Sequence, residues 1–409
     1  SCFGFLGGGD RGPALFCTSL MNTFLATVLV FFAILGHGYL WVAIVNRLHG
    51  WNGPRKLIDG LTLLSCVGFI LLPVGVGWYW WKLRGHYLTQ HESHLLAAWT
   101  RDYVMACALV GLSNLLARCC GGLHDDDPSV VLSTQISKPT FPRHLRSAVY
   151  RGIYPRLLGL IPLNESLRLS VETKRIAIPK LPETLRGLRI AHLSDLHLTG
   201  RMGPEWFNFV ADEVNRLDVD AIAITGDLIE NAECREWLTA CLGRLRARLG
   251  VYFILGNHDH YVDANQTISQ LTAAGLTYLG AKSIRTQWRG GPVLLAGNGQ
   301  PWATEPPDLK NSNETPHFSL LLLHTPDLMD WATAVQGDLA LAGHTHGGQV
   351  CFPLLGAVAV PSLYGTRFAR GTFRRGRTIL HVTRGISGET PLRWNCPPEI
   401  AVLELECGH

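Results

Sequence analysis

The chain carries, near its end, two histidines that are separated by one residue and flanked by glycines. Residues 343–347 read Gly-His-Thr-His-Gly and follow the apolar run Leu339–Ala342, a pattern typical of a strand that ends in a tight loop. Neutral imidazole is the commonest metal ligand among side chains, and glycine removes the Cβ atoms that would crowd an ion or an anion. The motif therefore indicates either a metal site or a structural loop with two incidental histidines.

Four earlier apolar runs also end in side chains that can bind a metal. They are Asp195 and His197 after 188–194, Asp227 after 221–225, Asn257, His258 and Asp259 after 251–255, and His324 after 319–323. Each pattern alone has an ordinary structural explanation, because Gly-Asp and Gly-Asn-His-Asp are common turn sequences. Ligands bind outside the carboxyl ends of the strands in open α/β folds, so five such strand ends in one chain favour a single site.

At these residues the sequence resembles the calcineurin-like metallophosphoesterase superfamily. The family pattern of Asp-x-His, Gly-Asp, Gly-Asn-His-Asp/Glu, His and Gly-His-x-His is matched in order between Asp195 and His346, with no ligand missing. The resemblance begins at about Gly187 and continues to the last residues. The segment from Gly347 to Ile400 is similar to a membrane-associated bacterial branch that also includes a transmembrane vertebrate member. The resemblance implies an α/β fold, a two-sheet α/β sandwich of the metallophosphoesterase type.

The resemblance also implies a dinuclear metal centre. One metal would be held by Asp195, His197 and His346, the second by Asn257, His324 and His344, and Asp227 would bridge both. Two divalent ions ~3.5–4 Å apart orient a phosphoester and lower the pKa of a bridging hydroxide, which would be the nucleophile. Nitrogen and oxygen ligands without a thiolate suit Mn²⁺, Fe or Zn²⁺.

Two adjacent residues receive catalytic roles from the same resemblance. His258 would donate to the phosphoryl or leaving-group oxygen, and Asp259 would orient His258. The family often has Glu where this chain has Asp259, so the geometry of that contact is open. Three arginines are candidates to bind the rest of an anionic substrate, with solvated surface arginines as the alternative: Arg201, Arg367 and Arg370.

The elements that position these side chains belong to an α/β domain. From Arg189 onward, apolar runs alternate with helical patterns, and Leu167–Val171 alternates apolar and polar residues as a strand would. The sequence therefore predicts a metallophosphoesterase domain at residues 167–409, long enough for a full core.

The preceding part of the chain is predicted to be an all-helical transmembrane region at residues 1–120. The runs 24–44 and 61–81 contain no formally charged side chain, and each is long enough to cross the ~30 Å hydrocarbon core. The second run ends in Trp-Tyr-Trp-Trp, as expected at a headgroup boundary. Residues 95–116 include an Arg-Asp pair and predict either a third span or a helix on the membrane surface.

The number of spans decides the side of the membrane on which the catalytic domain lies. Arg47, Arg55 and Lys56 lie between the first two runs, whereas the N-terminal flank has only Arg11 against Asp10, so this loop is predicted to be cytoplasmic. Three spans then leave the catalytic domain in the cytoplasm, and two leave it outside.

Residues 121–166 are predicted to be a linker and a basic, membrane-proximal segment. The acidic run 124–129 indicates a solvated linker rather than a metal site. Residues 143–156 place arginines among apolar residues, which is the composition of a helix that lies along anionic headgroups or of a solvated face. This segment favours the cytoplasmic, multi-pass arrangement in the cell membrane.

Composition limits the classes of partner. The mean hydropathy of +0.14 with 17% charged residues is more apolar than in an ordinary soluble protein, so a lipid bilayer is expected as a partner. The net charge of +4 and the lack of a dense basic patch with interleaved aromatics make nucleic-acid binding unexpected. The cysteines form no CxxC pair and are interpreted as buried thiols.

These features predict a membrane-anchored, dinuclear metal-dependent phosphoesterase that hydrolyses a phosphodiester, pyrophosphate or phosphomonoester. A lipid-linked or envelope substrate is favoured because the anchor would hold the site at the bilayer surface. The alternatives are a phosphatase for soluble nucleotides or phosphomonoesters, and a metal-bearing scaffold or receptor without turnover.

Overall fold

The computed structural model describes residues 12–84, 90–121, 126–303, 305–307, 309, 318–353 and 355–408. These residues form two compact units, one at 12–45 and 55–121 and the other at 46–54 and 126–408. The predictions that rest on Asp10, Arg11, His124 and Asp125 lie outside the described residues.

Long helices make up the described part of the N-terminal region. They are α1 Gly12–Gly50, α2 Arg55–Arg84 and α3 Gln90–Gly121. The stretches Thr23–Gly50 and Arg55–Lys82 are long and apolar enough to cross a membrane, by length and composition. In α3, Arg101 Nε bonds the carboxylate of the adjacent Asp102 at 2.9 Å, and both side chains are exposed. The helices predicted over 24–44 and 61–81 are confirmed, and a crossing by α3 stays a prediction.

The second unit consists of two β-sheets with helices packed on them. Its strands are β1 Val131–Ser137, β2 Ser170–Pro179, β3 Arg189–Leu193, β4 Ala221–Thr225, β5 Val251–Ile254, β6 Thr277–Tyr278, β7 Ser283–Trp288, β8 Gly291–Asn298, β9 Phe318–Leu323, β10 Leu339–Ala342, β11 Cys351–Phe352, β12 Gly356–Ala357, β13 Gly371–Arg375, β14 Thr378–Val382 and β15 Glu399–Gly408. Its helices are α4 Arg146–Val149, α5 Ile153–Gly159, α6 Pro204–Asn215, α7 Arg235–Cys241, α8 Ala264–Ala273 and α9 Met329–Ala334.

Strand order places the predicted site at the carboxyl ends of the parallel strands of both sheets. The first sheet has the order β1-β2-β15-β3-β4-β5-β6, and the second has the order β13-β14-β10-β9-β8-β7. The central strands β3, β4 and β5 are parallel to each other, as are β8, β9, β10 and β14. Parallel strands end on the same side, so the loops that follow them gather there. The prediction of a two-sheet α/β sandwich is confirmed.

The apolar runs of the sequence are strands with both faces buried. In β9, Leu320 and Leu322 pack into the core between the sheets, whereas Leu321 and Leu323 pack into the core beneath α9. Successive side chains of a strand point to opposite faces, so a strand covered on both sides needs an unbroken apolar sequence. Helices α6, α7 and α8 cover the outer face of the first sheet in the same way.

The second compact unit contains residues that were predicted to form a linker. Strand β1 pairs antiparallel with β2 and so extends the first sheet. Asp126 is not solvated linker, because its carboxylate accepts a bond of 2.9 Å from the buried ammonium of Lys174. A buried ammonium needs such a partner, which sequence proximity could not reveal.

Two local predictions differ from the structure. The single helix predicted at 143–156 is broken, because Gly152 has φ of 92° and the backbone N–H of Arg151 donates to the Arg201 carbonyl at 2.9 Å. The strand predicted at Leu167–Val171 begins at Ser170 instead. Its first two apolar residues, Leu167 and Leu169, are buried, but they precede the strand.

Candidate metal centre

The candidate ligands follow strands of both sheets and share an unusual backbone conformation. Five of them have a positive φ: Asp195 at 54°, His197 at 46°, Asp227 at 54°, His344 at 68° and His346 at 52°. Residues with a Cβ rarely occupy this region, and each such conformation costs about 1–3 kcal/mol. The backbone therefore turns sharply where each strand ends, and side chains from the two sheets meet between the loops.

The first group of side chains comes together around His197. Its Nε2 atom lies 3.0 Å from His346 Nε2 and 3.6 Å from Asp227 Oδ2. His346 Nε2 lies 3.6 Å from Asp195 Oδ1. The ligand atoms of these four residues all lie within 4.8 Å of one another, which is close enough to share one ion.

The second group contains Asp227, His324 and His344, whose ligand atoms also lie within 4.8 Å of one another. His324 Nε2 lies 3.2 Å from Asp227 Oδ2 and 3.0 Å from Asn257 Oδ1. Asp227 therefore belongs to both groups, as a bridging carboxylate must.

Three of the histidines are oriented by hydrogen bonds from their other ring nitrogen. His324 Nδ1 contacts the Thr225 carbonyl at 2.7 Å, His346 Nδ1 contacts the Ser387 carbonyl at 3.2 Å, and His197 Nδ1 contacts the Glu230 carboxylate. Each of these oxygens can only accept, so each Nδ1 carries a hydrogen and Nε2 is the nitrogen that would face an ion. This is the arrangement by which proteins orient histidine ligands.

The donor set fits divalent cations. Asp227 Oδ2 and His344 Nε2 are buried and have no hydrogen-bond partner among the described residues, which costs about 1–3 kcal/mol for each group unless an ion satisfies it. Burial lowers the pKa of His344 and His346 well below the usual range, so both imidazoles are neutral. Neutral imidazoles and carboxylates are the ligands of Mn²⁺, Fe and Zn²⁺ sites.

Two glycines are required by close approach at the site. A Cβ on Gly343 would lie 1.9 Å from Ser194 Oγ, and one on Gly256 would lie 2.2 Å from Asp227 Oδ1. Either substitution would displace a loop that carries a candidate ligand.

The catalytic pair predicted at His258 and Asp259 has different partners from those expected. The carboxylate of the fully buried Asp259 accepts bonds from the backbone N–H groups of Leu228, Ile229 and Gly256, at 2.8, 3.0 and 2.8 Å. These bonds join the two loops that hold Asp227 and Asn257 and so give Asp259 a role in loop structure; orientation of His258 by Asp259 stays a prediction.

The carboxylates that face His258 belong to residues not singled out in the sequence. His258 Nδ1 lies 3.2 Å from Glu230 Oε1 and 3.4 Å from Glu389 Oε1, and the backbone N–H of His258 donates to Asp227 Oδ1 at 2.9 Å. The sequence pattern could have identified Glu230, because it follows Asp227 by three residues at a strand exit.

Two further side chains complete the site. The indole of Trp302 lies with its centroid 4.9 Å from the His344 ring and 5.4 Å from the His324 ring, and so covers the second ligand group. Arg393 is fully buried and donates to the carbonyl of His346 at 3.3 Å and to that of Ser387. Neither residue lies in a strand-exit motif, so the sequence pattern does not identify either as a site residue.

The arginine candidates for substrate binding occupy different surroundings. Arg201 donates to the carbonyl of Glu389, which places it beside the acidic residue that faces His258. Arg367 stacks over Phe368, with its guanidinium carbon 5.2 Å from the ring centroid. Arg370 donates to the Asn395 carbonyl at 3.2 Å. Of the three, Arg201 contacts a residue at the site.

Comparison with known proteins places this geometry in a family. The family model for calcineurin-like phosphoesterases matches residues 188–348. An uncharacterized metallophosphoesterase, YkuE, of Bacillus subtilis (strain 168) is 31% identical over 242 residues, which cover 55% of this chain and 82% of that protein. A transmembrane protein with metallophosphoesterase domain from Danio rerio is 32% identical over 383 residues, which cover 86% of this chain and 82% of that protein.

A phosphodiesterase is among the relatives. Phosphodiesterase YaeI of Escherichia coli (strain K12) is 36% identical over 155 residues, which cover 37% of this chain and 56% of that protein. The predicted family resemblance is confirmed, as is the assignment to metal-dependent phosphoester hydrolases. The chain belongs to the calcineurin-like phosphoesterase family.

Proposed function

We propose that this chain is a membrane-anchored phosphoesterase that uses two divalent metal ions. Asp195, His197 and His346 hold one ion, Asn257, His324 and His344 hold the other, and Asp227 bridges them. The observation that carries the proposal is the shared Asp227 carboxylate, whose Oδ2 lies 3.6 Å from His197 Nε2 and 3.2 Å from His324 Nε2 and is otherwise unpaired among the described residues.

The chain's own residues would position the substrate and a proton around that centre. When bound, the metal pair supplies Lewis acidity and a nucleophile at neutral pH. His258 is half-buried beside the centre, and the carboxylates of Glu230 and Glu389 hold its Nδ1 side. It is the side chain best placed to donate to the leaving-group oxygen. The Trp302 indole packs against the His344 ring of the second ligand group.

Turnover of a generic aryl phosphodiester by the purified full-length chain tests this proposal. Activity should require Mn²⁺ or Zn²⁺, disappear in Asp227→Asn and fall by about 10²–10⁴-fold in His258→Ala, as for loss of a general acid. His260→Ala is a matched control, because His260 is an exposed neighbour outside both ligand groups. If the metal-loaded wild type turns over no monoester, diester or pyrophosphate, a non-catalytic metal scaffold replaces the proposal.

The substrate we propose is a phosphoester at a bilayer surface, with a lipid-linked phosphodiester or pyrophosphate preferred. The support is the pair of apolar helical stretches at Thr23–Gly50 and Arg55–Lys82, which would tether the site to lipid. Specificity constants on lipid phosphates in mixed micelles should exceed those on soluble analogues. Equal specificity constants on the two kinds of substrate would favour soluble nucleotides or phosphomonoesters as the natural substrates.

We further propose a multi-pass arrangement in which the second compact unit, residues 46–54 and 126–408, lies in the cytoplasm; we call it the catalytic unit. The segment 46–54, which contains the end of α1 and the loop before α2, packs as part of the catalytic unit, because Asn46 Nδ2 donates to the Val358 carbonyl at 2.9 Å and Val360 N–H donates to Asn46 Oδ1 at 3.0 Å. These bonds support a placement of both segments on one side of the membrane. That condition supports a third crossing by α3, and the basic residues Arg47, Arg55 and Lys56 favour the cytoplasm for this side.

Protease accessibility distinguishes the two arrangements. In inside-out vesicles the catalytic unit should be cleaved, and in right-side-out vesicles it should be protected. Protection in inside-out vesicles would overturn the cytoplasmic assignment.

A further inference from the structure

An exposed apolar surface lies on the catalytic unit at α5 and the turn that follows it. Its side chains retain large exposed fractions: Ile153 80%, Leu160 78%, Leu163 62%, Leu157 59%, Tyr154 51% and Ile161 42%. Single exposed apolar residues are ordinary, but a contiguous group of this kind marks an interaction surface. We call these six residues the α5 patch.

The α5 patch is held rigidly by the fold. Pro155 is buried against the unit, and Tyr150 Oη and Ser166 Oγ bond each other at 2.7 Å on either side of the patch. Asn164 Nδ2 donates to the carbonyls of Leu158 at 2.9 Å and Pro391 at 3.0 Å. The apolar side chains are therefore presented outward by a fixed backbone and are not the result of a loose loop.

The chain segment that carries the α5 patch is cationic. Residues 128–164 contain no Asp or Glu, whereas Arg143, Arg146, Arg151 and Arg156 are all exposed in this segment, and of these Arg151 pairs with Glu205 at 3.5 Å. Apolar side chains with flanking arginines are the composition of a surface that inserts into the headgroup region of an anionic bilayer. A protein partner that covered the patch would instead have to supply a complementary acidic rim.

The α5 patch is connected to the rim of the metal centre. The Tyr154 ring centroid lies 5.9 Å from the guanidinium carbon of Arg201, and Arg201 donates to the carbonyl of Glu389. The Glu389 carboxylate in turn lies 3.4 Å from His258 Nδ1. A molecule that reaches the site along this side passes directly from the patch to the residue proposed as proton donor.

We infer that the α5 patch is a membrane-docking surface that inserts into a bilayer containing anionic lipids and places the opening of the metal centre at the headgroups. The docking follows from exposure and charge alone. Delivery of a lipid phosphoester to the site rests, in addition, on the proposed function.

Lipid photocrosslinking tests the docking without any use of activity. The full-length chain would carry benzoylphenylalanine at position 160 and be reconstituted in phosphatidylcholine vesicles with or without phosphatidylglycerol. The matched control carries the same group at position 269, because Ser269 is exposed on α8. We expect lipid adducts at 160 that increase with phosphatidylglycerol, and none at 269. Equal yields at both positions, or adducts at 160 to a second protein chain, would overturn the inference.

Turnover in vesicles then tests delivery. The double variant Leu157→Ser, Leu160→Ser changes two exposed side chains and leaves the metal centre intact. It should hydrolyse a soluble aryl phosphodiester at the wild-type rate and a phosphodiester carried on a lipid at least about tenfold more slowly, as expected when more than about 1.4 kcal/mol of docking energy is lost. An equal rate on the lipid substrate would refute delivery, whereas inactivity of the wild type on both substrates would refute the phosphoesterase proposal and leave the crosslinking result to stand alone.

Discussion

The Nε2 atoms of His197 and His346 lie 3.0 Å apart, although 149 residues separate them in the chain. Both rings use Nδ1 to donate to an oxygen, so their Nε2 atoms are the nitrogens that face each other. A proton on one Nε2 joins the two rings by a hydrogen bond, and a divalent ion that displaced this proton would find both nitrogens in place. Two loops that are distant in the chain thus bring one imidazole from each sheet to a common point.

The two histidines of the Gly-His-Thr-His-Gly loop are predicted to bind different ions. His344→Ala and His346→Ala should each reduce the bound metal by about one ion per chain, because each ring belongs to a different ligand group. Metal content by mass spectrometry and the affinity of the remaining ion distinguish the two. The prediction is falsified if both variants retain the same ion with the same affinity.

Glu230→Gln is predicted to weaken metal binding although Glu230 is not one of the proposed ligands. The variant keeps an oxygen that can accept from His197 Nδ1 but loses the charge that orients and polarises the ring. Loss of such a partner typically lowers metal affinity about 10–100-fold. Calorimetric metal titration measures this change. Glu233→Gln is the control, since Glu233 is exposed three residues away, and an equal loss in that variant would contradict the prediction.

Asp259→Asn is predicted to destabilise the protein rather than to act on His258 alone. One carboxylate oxygen would become an NH₂ group facing backbone N–H donors from Leu228, Ile229 or Gly256, at a cost of about 1–3 kcal/mol. The thermal midpoint in detergent should therefore fall by several degrees, while that of His258→Ala stays near the wild-type value. A normal midpoint combined with reduced turnover would instead support orientation of His258 by Asp259.

Acid is predicted to destabilise the catalytic unit through His381. Burial, followed by the positive charge of Lys174, lowers the pKa of His381 from 6.5 to about 3, so the ring stays neutral in the folded protein. Between pH values of about 3 and 6.5, His381 binds a proton in the unfolded chain but not in the folded protein. The free energy of unfolding therefore falls as pH falls, by up to about 1.4 kcal/mol per pH unit.

Urea unfolding of His381→Leu measures this contribution. The variant loses the contact between His381 Nδ1 and Thr372 Oγ1, which is 3.1 Å in the wild type, so it should be less stable at neutral pH. Its stability should nevertheless depend less steeply on pH below about 6.5. His144→Leu, at an exposed histidine, should keep the wild-type slope. A wild-type slope in His381→Leu would rule out this origin of acid sensitivity.

The candidate ligands could be predicted because metal chemistry limits both their residue types and their positions. A strand with two buried faces needs an unbroken apolar sequence, so β4, β5 and β9 are visible as such, and the polar residue after each stands out. The partners of His258 could not be predicted in this way. Glu389 lies far along the chain, in a loop without periodicity. It reaches His258 only because the loop between β14 and β15 lies at the same end of the strands as the loop that carries His258.

The sequence by itself determined the α/β class, the apolar N-terminal helices and the residue types of the candidate metal centre. Those features depend on local alternation of apolar and polar residues and on ligand chemistry, which act over a few neighbouring positions. Only the tertiary structure decided that Asp259 joins two loops, that Trp302 covers the His344 ring and that the α5 patch remains exposed beside Arg201. These contacts join residues from separate segments of the chain, and the packing of the two sheets, which local sequence does not encode, determines which segments meet.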